Sequence, residues 1–513
     1  MESFARPIPI YFNSYFSLVN ATCMKRWNLI LVIFLLFSGS SFANDFEFTP
    51  NLQNAYSELC KLKVQSAKQL LAKEPANNGI RIWLEDFADM IVLFASEDEK
   101  EYERLSDNED KRLDLIKDLD EDSPYNKFIQ AEIKLHWALV KMKLGHETKG
   151  GFNAISAYKL LEENRKRFPN FTANYKNLGV FHVMIGSVPE NYKWVTKLLG
   201  LKGGIQQGLK ELNIAVNDKI VGKEAKFYQL FIQSNVLTLD DNERQDLSQF
   251  VTNNPDNLAI SFLGVSILLR NNKSEMAQKI LQNRPNGSAY MSMPIFDLYQ
   301  AEILFNKGNY SPAIQYYQNY LKNFRGNSFL KDVNFKLFLA NWLTNNPDKA
   351  LNHLAKIPNV GKKFSETDII AQNFYEQFQK TKVFPNKNLV KACYAFEGGH
   401  YTEALAFLDK LEEDSFTSQI DKANFNFRKA SILQKMNAQS QAIPFFERAM
   451  ALCAGQNCHF GASSSLQLGY IYQQRNDKPK ARLSFERAIA YKKHEYKNSI
   501  DNKAQAALTE MGI

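Results

Sequence analysis

A spacing of small and bulky residues, recurring through the second half of this 513-residue chain, constrains its fold more than any other feature. In its clearest copy, within residues 461–494, Gly469 lies on one predicted helix, and Ala481, Phe485 and Ala488 lie on the next. Small residues let the two backbones approach closely, and Phe485, four residues after Ala481, fills the space between them. The spacing therefore predicts a hairpin of two packed helices.

Alanines that correspond to Ala481 recur at a nearly constant interval. They are Ala277, Ala313, Ala350, Ala404, Ala442 and Ala481. Successive alanines are 36 to 39 residues apart, except for 54 residues between Ala350 and Ala404. We therefore expect six hairpins, with an inserted helix near Thr367–Lys380 where the array bends or splits. The hairpins are predicted near residues 258–286, 294–323, 331–357, 386–411, 422–453 and 461–494.

The residues expected to pack between paired helices are small or aromatic. They are Ala301, Gly308, Ala313, Tyr317, Ala404, Ala430, Ala442, Phe446, Ala449, Gly469, Tyr472, Ala481, Phe485 and Ala488. Their side chains are predicted to hold the hairpins together rather than to contact a ligand.

The last hairpin resembles the tetratricopeptide repeat, whose pattern runs Trp, Leu-Gly, Tyr, Ala and Phe before a closing Pro. Leu468, Gly469 and Tyr472 fit this pattern, whereas Ser465 and Lys493 stand where it has Trp and Pro. The resemblance implies an all-α fold in which divergent tetratricopeptide-like hairpins stack into a right-handed superhelix, an α-solenoid.

The two halves of the chain differ in regularity. Residues 246–513 carry the recognisable repeats and are predicted to form the tetratricopeptide domain. Residues 44–245 show helical periodicity with turn formers between segments, but the repeat is faint. We expect a degenerate helical-repeat domain in this irregular N-terminal half.

The beginning of the chain has the pattern of an export signal. Lys25 and Arg26 precede a run of nine apolar residues, and small residues follow up to Ala43. Residues 24–43 are predicted to be a signal peptide cleaved after Ala43, which makes the mature protein periplasmic. Met24 is the expected initiator, so residues 1–23 are expected to be leader that is not translated. The alternative is an uncleaved signal anchor that tethers the protein to the membrane; nine apolar residues are too few for a permanent span.

Two of the five cysteines, Cys453 and Cys458, lie close together in sequence, and an oxidising compartment permits a disulfide between them. The alternative, a metal site that includes His459, lacks further ligands to complete four-coordinate zinc. We predict the disulfide, no bound metal and no cofactor.

The sequence carries no motif that indicates catalysis. The seven histidines are scattered singly, and the glycines near residues 200–208 do not have a dinucleotide-binding spacing. We therefore predict that the protein is not an enzyme. A hydrolase hidden in the front half would require a buried carboxylate or His cluster in one pocket. The 63 basic residues are balanced by 55 acidic ones, so composition indicates no nucleic-acid partner.

One short apolar segment allows two interpretations. Trp194, Leu198, Leu199 and Leu201 lie beside lysines, as in helices that bind a membrane surface. The segment is brief and is followed by glycine, so we expect it to pack between hairpins instead.

A stacked helical array exposes a concave surface formed by the first helix of each hairpin, and such surfaces bind peptides or proteins. The resemblance places one residue set on this surface in the last two hairpins: Asn424, Phe427, Ser431, Gln434, Lys435, Leu466, Tyr470, Gln473 and Gln474. Amide side chains can hydrogen-bond an extended backbone, and the aromatic rings add apolar contact area.

These features together predict a non-catalytic protein–protein interaction scaffold of the cell envelope, which binds protein or peptide partners on the concave face. The alternative is an envelope glycan- or peptide-capture component of an uptake system, although the sequence lacks the lipid-anchor Cys common in such components. No stable membrane span is expected after signal cleavage.

Overall fold

The computed structural model describes residues 45–188, 193–236, 241–455, 458–494 and 496–511, and all regular elements within them are helices. The predicted leader and signal peptide lie outside the described residues. The helices of the first half are α1 (Pro50–Cys60), α2 (Val64–Leu71), α3 (Gly79–Ser96), α4 (Glu99–Leu105), α5 (Asn108–Lys117), α6 (Pro124–Leu144), α7 (Glu147–Arg167), α8 (Asn174–Gly186), α9 (Lys193–Leu198), α10 (Ile205–Val216), α11 (Gly222–Val236) and α12 (Asp241–Thr252).

The second half is a series of paired helices. They are α13 (Leu258–Arg270), α14 (Ser274–Asn283), α15 (Ile295–Asn306), α16 (Tyr310–Asn323), α17 (Leu330–Leu343), α18 (Pro347–Leu354), α19 (Glu366–Thr381), α20 (Lys387–Glu397), α21 (Tyr401–Leu408), α22 (Gln419–Lys435), α23 (Gln439–Leu452), α24 (His459–Gln474), α25 (Lys478–Ala490) and α26 (Lys497–Glu510). Each of the six expected hairpins contains two helices, and the inserted helix is α19. The predicted all-α array of hairpins is confirmed.

Local signals in the sequence set the ends of several helices. Asn78 caps α3, because its side-chain oxygen accepts a hydrogen bond from the backbone nitrogen of Ile80 at 2.8 Å. Ser365 caps α19 in the same way. Gly145 ends α6 with a φ of 89°, a conformation that costs glycine little.

The last hairpin shows how small and bulky residues interlock. Ala481, Phe485 and Ala488 are fully buried between α24 and α25. A Cβ atom at Gly469 would lie 2.4 Å from Cε1 of Phe485, so only glycine lets the ring pack at this place. Gly308 differs from the expectation: it is exposed and has a φ of 85°, so it turns the chain between α15 and α16 rather than packing between them.

The inserted helix α19 packs against α17 and covers it. The ring of Phe374 on α19 lies 4.7 Å from that of Phe335 and 5.4 Å from that of Phe338, both on α17. Together with α16 and α18, it leaves nearly every residue of α17 buried, including polar ones. A helix that is buried on all sides belongs to a core rather than to an open surface.

Glycines allow close helix packing in the first half as well. A Cβ atom at Gly208 would lie 2.4 Å from the carbonyl oxygen of Gly179, so α10 and α8 approach with their backbones nearly in contact. The acidic segment that contains α4 and α5 buries Leu105, Leu113 and Ile116 beneath its charges. This segment is therefore a one-sided, solvated part of the fold.

The two halves touch at residues that are distant in sequence. Lys61 pairs with Asp256 at 2.7 Å, and the backbone nitrogen of Met291 donates to the carbonyl oxygen of Leu62 at 2.9 Å. Further along, Glu97 at the end of α3 reaches the loop between α16 and α17. The N-terminal half thus packs against the array rather than merely preceding it.

The structure overturns the expectation of packing for Trp194 and Leu198, whereas Leu201 does pack against the apolar core of the first half. Trp194 is 60% exposed and Leu198 is 75% exposed. Val195 is the one buried residue of this short helix. It anchors α9 to the fold, and the other side of the helix faces solvent. None of the described helices is long and apolar enough to cross a membrane.

Candidate functional site

The residues predicted for the concave face lie on α22 and α24. A residue can contribute to that face only if solvent reaches its side chain. Six of them have side chains that solvent reaches at least partly: Asn424, Gln434, Lys435, Tyr470, Gln473 and Gln474. Gln474 Oε1 accepts a hydrogen bond from Gln439 Nε2 at 2.7 Å, which links the two hairpins at this surface. These polar positions are therefore available for contact with another chain.

Phe427, Ser431 and Leu466 are not available, and the structure corrects their assignment as binding residues. Phe427 and Leu466 are each only 4% exposed. The ring of Phe427 packs against that of Phe460, at 5.6 Å between centroids, on the neighbouring helix α24.

Ser431 is buried too, and its hydroxyl donates to the carbonyl oxygen of Phe427 at 2.8 Å within α22. Leu466 lies in the same apolar cluster as Phe485 and Ala504, so α25 and α26 cover it. Sequence reasoning placed these side chains in a groove because it assigned a face to each helix in isolation. In the folded chain the next helix in the stack covers the side chains at the edges of that face.

Two further residues belong to the same surface, Arg428 and Gln467. Both are half-buried. Arg428 lies four residues after Asn424 and Gln467 lies three before Tyr470, so helical periodicity itself could have identified them. Arg428 Nε donates to Asn424 Oδ1 at 2.8 Å, which holds the guanidinium along α22. We use "inner face" below for the eight accessible residues Asn424, Arg428, Gln434, Lys435, Gln467, Tyr470, Gln473 and Gln474.

Arg428 also affects the electrostatics beside the inner face. Burial lowers the pKa of His459, the first residue of α24, to about 4, and the positive charge of Arg428 and the imidazole of His494 add to this effect. His459 is consequently neutral at physiological pH and packs against Tyr496, with ring centroids 5.0 Å apart. The cationic character of this region therefore comes from Arg428 and Lys435.

The corresponding surface of α17 is closed. Leu339, Trp342 and Leu343 occupy the positions equivalent to Tyr470, Gln473 and Gln474 of the inner face, and of these three Trp342 alone is not fully buried. Its ring lies 4.4 Å from that of Phe384, and its Nε1 donates to a backbone carbonyl in the same linker at 3.0 Å. The inserted helix and its linker therefore fill the groove in the middle of the array.

A disulfide joins Cys453 and Cys458, with their Cα atoms 6.1 Å apart. Cys453 follows the last turn of α23, and Cys458 precedes the first turn of α24. The bond therefore ties the end of one hairpin to the start of the next, beside the inner face. Cys60 and Cys393 form no disulfide within the described part of the chain, and burial raises the pKa of the Cys60 thiol.

Sequence reasoning missed a chain of buried charges in the N-terminal half. Arg112 on α5 donates to Asp86 on α3 at 3.0 Å, and His136 Nδ1 on α6 lies 2.7 Å from the same carboxylate. One turn earlier on α6, Glu132 Oε2 lies 3.7 Å from His136 Nε2. These groups come from three helices and meet at one place.

Lys176 on α8 continues this chain. Its Nζ lies 2.9 Å from carboxylate oxygens of both Glu132 and Glu224. Burial alone would lower the pKa of Lys176, but the two carboxylates reverse that effect and raise it. Glu224 also accepts hydrogen bonds from the hydroxyls of Tyr56 and Tyr228, and its pKa is lowered because Lys176 and these donors outweigh its burial.

This cluster is the kind of feature that a hidden hydrolase would need, but it is enclosed. Asp86, Glu132, His136 and Lys176 are each no more than 3% exposed. One cleft of about 380 Å³ lies between α18 and α19, and another of about 300 Å³ lies beside residues 284–293. None of these buried charges lines either cleft. Because each of these buried charges has a partner on another helix, the cluster joins the helices of the N-terminal half.

A second buried pair lies on α8 and α10. His182 Nδ1 is hydrogen-bonded to Glu211, and Gln207 Nε2 approaches the same ring nitrogen at 3.1 Å. No signal in the sequence pairs these residues, because they are far apart along the chain. In the part of the chain that the structure describes, no three His, Cys, Asp or Glu side chains are grouped so as to hold a metal ion.

Comparison with known families supports the repeat. A family model described as tetratricopeptide repeat matches residues 297–327, which contain most of α15 and all of α16. No curated protein matches the chain. The matched repeat and the stacked hairpins support a protein–protein interaction scaffold, and arrays of this kind are typically non-catalytic.

Proposed function

We propose that this tetratricopeptide repeat protein is a non-catalytic scaffold that binds an extended segment of a partner protein along the inner face of α22 and α24. The observation that carries the proposal is the contrast between two parts of the array. On α17 the equivalent positions are apolar and largely buried, and the linker after the inserted helix covers Trp342, whereas on α22 and α24 the residues of the inner face remain accessible.

The chemistry of the inner face favours a particular kind of segment. Five of its eight residues carry side-chain amides, which can donate to and accept from the backbone of an extended peptide. Tyr470, whose ring is supported at 5.3 Å by Phe485, offers apolar area with a polar tip. The charged members, Arg428 and Lys435, are both cations, so the preferred segment carries acidic side chains.

We propose that the scaffold works in the cell envelope after export. The basic residues, apolar run and small residues of positions 24–43 support this location, and so does a disulfide between Cys453 and Cys458, since such bonds persist in oxidising compartments. The mass of the protein recovered from cells tests it: cleavage after Ala43 leaves a chain that begins at Asn44.

Alkylation without prior reduction provides an independent test of the same location. In the exported protein only Cys60 and Cys393 are expected to react after denaturation. Reaction of all four cysteines of the mature chain would contradict export to an oxidising compartment.

Crosslinking in intact cells tests the binding face. A photoreactive amino acid is placed at Gln467, on the inner face, and at Leu483, which is 48% exposed on the second helix of the same hairpin. Partner proteins are expected to crosslink from Gln467 and not from Leu483. Equal yields from the two positions would show that the inner face is not the binding surface.

The proposed preference for acidic side chains is tested with two double variants. Arg428→Gln combined with Lys435→Gln is expected to lower the crosslinking yield at Gln467, because the attraction to acidic side chains is lost. Arg482→Gln with Arg487→Gln, on α25, removes the same charge from the second helix of the hairpin and serves as the matched control. An equal loss in both double variants would point to net charge rather than to the inner face.

A further inference from the structure

The described residues on either side of α9 bring the end of α8 close to the start of α10. A Cβ atom at Gly186, the last residue of α8, would lie 2.5 Å from the backbone nitrogen of Ile205, the first residue of α10. Gly203 lies similarly close to the backbone of His182. Close contacts at these glycines therefore hold α8 and α10 together, and α9 lies between them in sequence.

The orientation of α9 is fixed by contacts of residues within the helix and just after it. Val195 is buried, and Leu201 packs against the apolar core of the N-terminal half. The hydroxyl of Tyr158 on α7 donates to the carbonyl oxygen of Lys202 at 2.9 Å, just after the helix. Gly200 ends α9 with a φ of 71°, and the backbone nitrogen of Leu201 donates to the carbonyl oxygen of Thr196 at 2.8 Å.

With Val195 facing inward, Trp194 and Leu198 face outward. They are four residues apart, so they share one side of the helix, and they are the two most exposed large apolar residues of this segment. Met184, near the end of α8, is exposed close by in sequence. Two adjoining exposed apolar side chains form a small patch, and such patches mark sites that contact a protein or a membrane when they are contiguous.

The charged residues from the start of α9 to the middle of α10 all carry a positive charge. Residues 193–210 contain Lys193, Lys197, Lys202 and Lys210 and no acidic residue. The nearest acidic residues along the chain are Glu190 and Glu211, and Glu211 is buried against His182. Trp194 and Leu198 are therefore exposed next to Lys197 on the same helix and shortly before Lys202, and both lysines are exposed.

We infer that α9 docks the protein on the surface of an anionic lipid bilayer. Trp prefers the boundary between headgroups and acyl chains because its ring is apolar and its N–H is polar. Lysines near the surface attract anionic headgroups and keep their ammonium groups in water. This surface lies on the N-terminal half, so it is independent of the inner face on α22 and α24, and the protein can hold a membrane and a partner at once.

The test uses the full protein with vesicles of phosphatidylcholine and phosphatidylglycerol, and with vesicles of phosphatidylcholine alone. The emission of Trp194 is isolated as the difference between the protein and its Trp194→Phe variant. On anionic vesicles this emission is expected to shift to the blue and to be quenched by lipids with brominated acyl chains. Because the readout is local to Trp194, attachment through any other segment does not produce it.

Three variants make the expectation quantitative. Lys197→Gln and Lys202→Gln are each expected to weaken binding to anionic vesicles about fivefold at low salt, since a lysine near such a surface contributes about that much. Leu198→Ser is expected to abolish the shift of Trp194 emission. Leu483→Ala, which removes an exposed apolar residue on α25, is the matched control and should leave binding unchanged.

Two results would overturn the inference. Vesicles that bind without any change in Trp194 emission would show that α9 stays in water. Emission from Trp194 that shifts in a cell extract free of lipid, but not with vesicles, would assign the surface to a protein instead.

Discussion

The carboxylate of Glu97 caps the backbone of Ser328, with Oε2 2.9 Å from the Ser328 nitrogen across a sequence separation of 231 residues. The same oxygen accepts a hydrogen bond from the nitrogen of Asn327 at 2.9 Å, and Oε1 pairs with Lys143 at 2.8 Å. Glu97 is buried, so one side chain joins α3, α6 and the loop between α16 and α17.

Replacing Glu97 by Ala should therefore destabilise the junction between the two halves. The change leaves two backbone N–H groups without their acceptor, and the ammonium of Lys143 keeps only the hydroxyl of Ser328, at 3.2 Å. We expect a loss of about 3–5 kcal/mol in the free energy of unfolding, the usual result of breaking a buried charge pair. Urea denaturation measures it. Glu99→Ala is the control, because Glu99 pairs with Lys362 at an exposed site, where about 1 kcal/mol or less is expected. Equal effects of the two changes would contradict the capping role.

Lys176→Met should destabilise the N-terminal half strongly. Lys176 lies between Glu132 and Glu224, and its removal leaves two buried carboxylates without a cation. The expected loss is again about 3–5 kcal/mol. Adding Glu132→Gln and Glu224→Gln to the same variant removes both charges and should restore most of the stability. If the triple variant unfolds as easily as Lys176→Met, the pairing is not what stabilises this core.

Gly469→Ala should destabilise the last hairpin because the new Cβ would overlap the ring of Phe485. Overpacking of this kind costs about 1–3 kcal/mol. Phe485→Leu alone should also be unfavourable, but in the double variant the smaller leucine side chain makes room for the added methyl group, so the two losses should not add. Thermal unfolding of the two single variants and the double variant gives the coupling. Strict additivity would argue against the close contact.

Acid should destabilise the C-terminal repeats through His459. Its pKa is about 4 in the folded protein, because burial first and then the charge of Arg428 and His494 oppose protonation, whereas its ordinary value is 6.5. The unfolded chain therefore binds a proton that the folded chain does not, so stability is complete above pH 6.5 and falls as the pH drops toward 4. The loss amounts to about 3 kcal/mol.

His459→Gln should flatten this dependence, as measured by thermal unfolding across the same pH range. His353 contributes a similar slope, since burial and Lys356 lower its pKa to about 4 as well. Gln467→Ala, which changes no titrating group, should keep the slope of the unmodified protein. An unchanged slope in His459→Gln would mean that this imidazole is already protonated in the folded state.

The hairpins could be predicted from the sequence because the contacts that form them are local. Gly469 and Phe485 are close along the chain, and their spacing is set by helix geometry. The inserted helix α19 followed from the long gap between Ala350 and Ala404. The pattern did not predict where that helix packs: it lies on α17 and fills the groove there.

The sites were harder to predict because their partners are far apart in sequence. Phe427 has the spacing of a groove residue, yet Phe460 of the next hairpin buries it. The chain of charges that includes Asp86 and Lys176 joins helices whose pairing no periodicity specifies. The exposure of Trp194 depends on a loop held by Gly186, a contact that only the folded chain reveals.

The contacts between the two halves change how the array should come apart. Hairpins that touch only their neighbours can open one at a time from either end, and each opening costs little. Here Lys61, Leu62 and Glu97 clamp the first helices onto hairpins of the middle of the chain. Melting up to α17 should therefore be cooperative, whereas the hairpins from α22 onward, which lack such clamps among the contacts described above, retain the freedom to fray and to adapt to an incoming chain.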